Sequence, residues 1–172
     1  MKSIVLFFSI VILGLMLWFP VRTLSLRKID ATPGYEPAEG LGTISIKFPG
    51  APEVIQYLRT AGAAVVLEAQ GNAYDYTTFV ATLAGQKAYL GWTNHVTLLT
   101  KQYDESGRRE GVTKDIYSST DCNSRKEKAK KEGIRFIVFG TLEKAKYPGS
   151  ELADFSCFEM VMESGGYRLF GV

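Results

Sequence analysis

The feature that most limits what this chain can become is the run from Ser3 to Val21, SIVLFFSIVILGLMLWFPV, which carries no charge. At ~1.5 Å per residue a helix over this run spans roughly 28 Å, close to the ~30 Å hydrocarbon core of a bilayer. A helix satisfies its own backbone in lipid, so Ser9 and Gly14 are tolerated there. Trp18 falls at interfacial depth, and Pro20 with Arg22 closes the segment. A cleaved leader is the competing reading, with Lys2 as its charged start. The run is longer than a leader's apolar stretch, however, and Thr23-Leu24-Ser25 stands where a small-residue cleavage site would be. Residues 1–22 are therefore expected to be a retained, single-pass transmembrane helix. Lys2 lies on one side and Arg22, Arg27 and Lys28 on the other, so the charge rule leaves the orientation open.

The 172 residues leave room for one further domain with a real core. Residues 23–50 read as an irregular connector, punctuated by Pro33, Gly34, Pro37, Gly40 and Gly42, with one short strand at Thr43–Phe48. Residues 51–172 read as an α/β soluble domain. Pro52 opens a helix in which Val54, Ile55 and Leu58 recur at helical spacing until Gly62. Ala63–Ala69, Lys87–Trp92 and Ile134–Gly140 are short apolar runs of the buried-strand type. Before the last of these comes a polar helix, with Ser124 and Glu127 as a capping box and Gly133 at its end. Strand, crossover and strand at these spacings imply a small, mainly parallel sheet flanked by helices. Phe158–Met162 and Tyr167–Val172, separated by Ser164-Gly165-Gly166, give a C-terminal β-hairpin.

Twenty basic against 18 acidic side chains give a net charge of +2, which argues against a nucleic-acid binder, since such affinity comes from neutralising phosphates. Other chemistry is sparse. His95 is the only histidine and follows a predicted strand, either to act as a general base or ligand donor or to order its own loop. Glu68 and Glu143 end two predicted strands. If those strands are parallel neighbours, both carboxylates reach one sheet edge and with His95 would make a catalytic group. Alternatively each caps a following helix or pairs with a lysine such as Lys144. Cys122 and Cys157 lack metal-ligand spacing, and one His builds no zinc site, so neither metal nor cofactor is expected. The two cysteines either pair outside the cytoplasm or stay as buried thiols. Arg125–Lys131 reads as a solvated helix face. Tyr74, Tyr76, Tyr89, Trp92 and Tyr103 make either a sugar platform or core and rim.

Four segments in order, LEAQGNAY (Leu67–Tyr74), AYLGWTNH (Ala88–His95), DIYSSTD (Asp115–Asp121) and IRFIVFGTLEKAKY (Ile134–Tyr147), carry a resemblance. Together they resemble the C-terminal soluble domain of the YYY (chlor-arch-YYY) membrane-protein family, polytopic proteins similar to membrane glycosyltransferases that use lipid-linked sugar donors. The resemblance covers about Glu53 to Val172, and the hydrophobic segment would correspond to the last membrane helix before that domain. Glu68, Tyr74, Gly91, Trp92, His95, Tyr117, Gly140, Glu143 and Tyr147 match the family pattern. The chain departs from it at Val96, where the family has an acidic residue, and at Phe79, Ala81 and Ala84, where polar groups have become apolar.

The resemblance implies a membrane-anchored, extracytoplasmic accessory or binding domain that is not catalytic alone, with Tyr74, Trp92 and Tyr147 as ligand-binding residues. Its partners would be the membrane, a polytopic membrane protein, and a glycan or lipid-linked sugar. The alternative is a component of a split membrane glycosyltransferase, with Glu68, His95 and Glu143 facing the substrate.

Overall fold

The computed structural model describes residues 41–150 and 155–172, with Gly14, Met16 and Trp18 as isolated helical positions. The expected membrane helix over 1–22 and the connector over 23–40 lie otherwise outside the described residues. Among those described, no helix is long and apolar enough to cross a membrane. The chain divides into two compact units, Met1–Gly42 and Thr43–Val172, and the second holds the sheet.

Helix α1 (Leu41–Lys47) replaces the strand expected over Thr43–Phe48. Ile44, Ile46 and Phe48 alternate like a strand, but Ile46 is 86% exposed while Ile44 and Phe48 are buried. The four-residue spacing of the buried pair wins, and the Phe48 amide donates to the Ile44 carbonyl at 2.7 Å. Helix α2 (Ala51–Thr60) forms as the sequence predicts, with Pro52 in its first turn and Val54, Ile55 and Leu58 fully buried.

Strands β1 (Val65–Leu67), β2 (Lys87–Ala88), β3 (Phe136–Phe139), β4 (Glu159–Ser164) and β5 (Tyr167–Gly171) form one sheet in the order β2-β1-β3-β5-β4. β1 pairs parallel with β2 and β3, whereas β5 is antiparallel to both β3 and β4. The sheet is thus evenly mixed rather than mainly parallel. The predicted hairpin is present, but it is built into the sheet, because Phe170 and Leu169 register against Ile137 and Val138 of β3. Buried apolar residues on β5 make it an interior strand (Leu169 is fully buried), which a hairpin signal alone does not reveal.

Pleating divides the sheet into two faces. Leu67, Ile137, Phe139 and Phe170 share a core with Ile116, Tyr117 and Ala129, which lie on helices α5 (Tyr103–Ser118) and α6 (Cys122–Lys131). The alternate residues Val66, Val138 and Leu169 turn to the opposite face, where α2 packs against α3 (Phe79–Ala84), β4 and β5. The chain crosses from β1 to β2 through α3, then from β2 to β3 through α4 (Thr93–Thr100), α5 and α6. Helix α7 (Thr141–Lys146) follows β3. β1 therefore sits where the winding reverses, and the crevice outside the ends of β1 and β3 is the topological switch point.

Two further expectations shift. The cap of α6 is Asp121, whose carboxylate accepts the Ser124 amide at 3.0 Å, so the helix starts three residues before the predicted box. Arg125 is not on a solvated face. It is 1% exposed, lies 4.2 Å from the Phe155 ring, and donates to the Ile116 carbonyl at 2.6 Å. Cys122 and Cys157 form a disulfide with Cα atoms 5.8 Å apart, tying the start of α6 to the segment before β4. Gly50 and Gly165 interlock behind the hairpin. Both have positive φ, and a Cβ on Gly50 would overlap the Ser164 carbonyl while one on Gly165 would overlap Pro49.

Candidate functional site

Glu68 and Glu143 do reach the same sheet edge, as parallel β1 and β3 require, but each is engaged with backbone. Glu68 is buried, and its carboxylate oxygens accept the amides of Val80 at 3.1 Å and Ala81 at 2.9 Å. It thereby caps α3, whose own N-cap residue, Thr78, makes no side-chain cap bond. Glu143, in the first turn of α7, accepts the Gly140 amide at 2.8 Å and the Ala69 amide at 2.8 Å. It bridges the ends of β3 and β1. The switch point, where open α/β sheets receive ligands, is closed here by the protein's own carboxylate.

Burial sets the electrostatics of this edge. Desolvation pushes the Glu68 carboxyl up to about 8, against the pull of the Ala81 and Val80 amides and with a smaller push from Glu143. Glu143 is likewise raised by burial, opposed by the amides it accepts. Tyr117 donates to the Val138 carbonyl at 2.7 Å and is held well above its ordinary range, first by burial and then by Glu143. The Tyr147 ring stacks on Tyr117 at 4.8 Å, and its hydroxyl donates to Gln70 Oε1. Gly140 has no room for a side chain, because a Cβ there would enter the Tyr167 ring.

His95 lies elsewhere, in the first turn of α4, and neither a hydrogen bond nor a ring contact joins it to either glutamate. The oxygens of Glu68 and Glu143 are taken up by backbone amides and not by His95. His95 instead meets Tyr74 and Trp92, with ring centroids 5.6 Å from each and the two larger rings 5.7 Å apart. Tyr147, the third residue expected with Tyr74 and Trp92, is buried in the tyrosine stack.

The loop after β1 explains why Tyr74 stands out. Asp75 accepts the Asn72 and Thr77 amides, each at 2.9 Å, and a Cβ at Gly71 would collide with Asp75 and Thr77. The loop is wound tightly about one carboxylate. At its tip Tyr74 adopts φ 69° and is 87% exposed. Left-handed backbone costs a bulky residue ~1–2 kcal/mol, and exposing the ring forfeits its burial. Trp92 is fixed beneath it by an indole N–H bond to the Thr77 carbonyl at 3.3 Å. Exposed Tyr74 thus sits with half-buried Trp92 and His95 in the loops that follow β1 and β2, and each ring carries a polar edge.

The sequence drew attention to the rings but not to Asp75, whose signal is the Gly-Asn-x-x-Asp-x-Thr turn chemistry in Gly71–Thr77. It also missed Gln70, which carries no motif. Among the described residues no cluster of three or more potential metal ligands forms. No protein family, curated protein or solved structure matches the chain.

Proposed function

We propose that the chain is a membrane-anchored, extracytoplasmic binding domain that holds a glycan on Tyr74, Trp92 and His95. On this reading it is related to the C-terminal domain of YYY-type, glycosyltransferase-like membrane proteins and works beside a polytopic partner rather than catalysing alone. The observation that carries it is the three-ring cluster topped by exposed Tyr74, whose left-handed backbone is energetically costly. Aromatic faces stack on the C–H faces of sugars, and the imidazole and phenol edges supply hydrogen bonds to hydroxyls. A role as the catalytic component would require Glu68 or Glu143 to exchange its backbone amides for substrate. The anchor is supported by the apolar run at Ser3–Val21, and the compartment by the Cys122–Cys157 disulfide, which suits an oxidising environment.

Trp92 is one of two tryptophans, so a Trp18→Phe background makes intrinsic fluorescence a local probe of the patch. The full chain in mild detergent, titrated with neutral oligosaccharides and with a lipid-linked sugar, is expected to show a saturable change in Trp92 emission. Tyr74→Ala is expected to abolish it without lowering Tm, since the ring is exposed. An emission unchanged across those probes at millimolar concentration refutes the reading.

A further inference from the structure

We propose a second ligand site, in the cleft between α5 and the Lys146–Pro148 segment, that takes a hydroxylated ligand of monosaccharide size bearing one anionic group. The cleft has a volume of about 690 Å³, within the ~300–1,000 Å³ of small-molecule sites. Gln70 forms its floor. The side chain is only 5% exposed, its carbonyl oxygen is occupied by the Tyr147 hydroxyl, and its amide nitrogen has no partner among the described residues. That nitrogen is not sealed off from the cleft, so it is a donor that a ligand or water there can accept from.

The wall opposite points the same way. Gly107 and Gly111, one helical turn apart on α5, both line the cleft. Neither has positive φ, and a Cβ on either would meet nothing within 4 Å. Backbone geometry and packing therefore both permit alanine, the better helix former. Glycine at these two places keeps the helix surface open over the floor. Lys114 and Lys146 bring two positive charges and Glu110 one negative, and none of the three forms an ion pair with a described residue. Two ammonium groups, a carboxylate and an amide donor match a ligand with one anionic group and several hydroxyls.

The test is calorimetric titration of the full chain in mild detergent at low ionic strength, with glucuronate, glucose 6-phosphate, glucose and inorganic phosphate as probes. Glucuronate or glucose 6-phosphate is expected to bind at least about ten-fold more tightly than glucose or phosphate, the scale of one charge-assisted hydrogen bond. Whichever binds more tightly identifies the anionic group as carboxylate or phosphate. Gly111→Leu is expected to abolish binding with Tm unchanged or raised, and Lys114→Glu with Lys146→Glu to weaken it by at least about ten-fold. Tyr74→Ala is expected to leave it unaltered, so failure here and failure of the aromatic patch are read separately. Equal binding of glucose or of inorganic phosphate, undiminished binding in Gly111→Leu or the double lysine variant, or loss in Tyr74→Ala overturns the proposal.

Discussion

Replacing Glu68 by glutamine should change not only the stability of the domain but the steepness of its dependence on pH. The folded carboxyl has a pKa of about 8, against an ordinary value of 4.5. Between those values the folded state keeps a proton that the unfolded chain has released. The stabilisation is therefore complete below pH ~4.5 and is lost as pH rises through about 8, at about 1.4 kcal/mol per pH unit in the steep part. From pH 5 to 9 the loss is on the order of 4–5 kcal/mol. Glu143 is shifted in the same direction and steepens the decline. Glutamine does not titrate, so Glu68→Gln removes the contribution of Glu68 to the slope and leaves that of Glu143. It also presents an NH2 where an oxygen accepted a backbone amide, which costs roughly 1–3 kcal/mol at all pH values. The variant should be less stable than the parent at pH 5 and equal or better near pH 9, so that the two curves cross. Urea denaturation in mild detergent, followed by Trp92 emission in the Trp18→Phe background at half-unit pH steps, reads both curves. A parent whose stability is flat or rises from pH 5 to 8, or a variant with the parent's slope, refutes the reasoning.

Two further perturbations probe the scaffold. Cys122→Ser should cost roughly 4 kcal/mol, the loop entropy of a bridge across 35 residues, and should abolish the difference in gel mobility between reduced and unreduced chain. An unreduced parent that migrates like the variant would count against the bridge. Gly50→Ala drives a methyl into the Ser164 carbonyl at a backbone conformation that L-residues disfavour. It should lower stability by at least ~3 kcal/mol, whereas Gly85→Ala, also at positive φ but with open space around it, should cost only ~1–2 kcal/mol. Equal melting temperatures for these two glycine variants would mean that the two backbones do not interlock.

What the sequence discloses here is what depends on neighbours a few residues away. Pro52 with Val54, Ile55 and Leu58 marks α2, and the apolar runs before Glu68 and Gly140 mark β1 and β3, because each pattern reports its own burial. Gly165-Gly166 marks the hairpin turn for the same reason. Helix α5 escapes such reading. Gly107 and Gly111 interrupt it, and its fully buried residues Thr113, Ile116 and Tyr117 include two with polar groups, so no apolar stripe stands out. The glutamates are visible at strand ends, and capping of a following helix is one of their two readings, but the sequence does not choose between that and a shared site. Glu68 reaches amides 12 and 13 residues ahead, and Glu143 one 74 residues behind, separations that only the assembled sheet brings within bonding distance. His95 follows a strand as the two glutamates do, which leaves a shared site and a loop-ordering role both open. Its helix carries it instead to the two rings at the outer edge.

The place of β5 has a consequence for biogenesis. Residues 167–171 fill an interior slot between β3 and β4, so the β3 flank and β4 are joined into the sheet only through them. While the polypeptide is still being extruded, one flank of β3 offers unpaired amides and carbonyls, the kind of edge that recruits foreign strands. A nascent chain stalled anywhere before residue 167 cannot reach the native sheet, and partial folding would leave a sticky intermediate. Maturation should accordingly lean on holdase chaperones until the final strand slides into register, a late zipper closing a sheet begun about a hundred residues earlier.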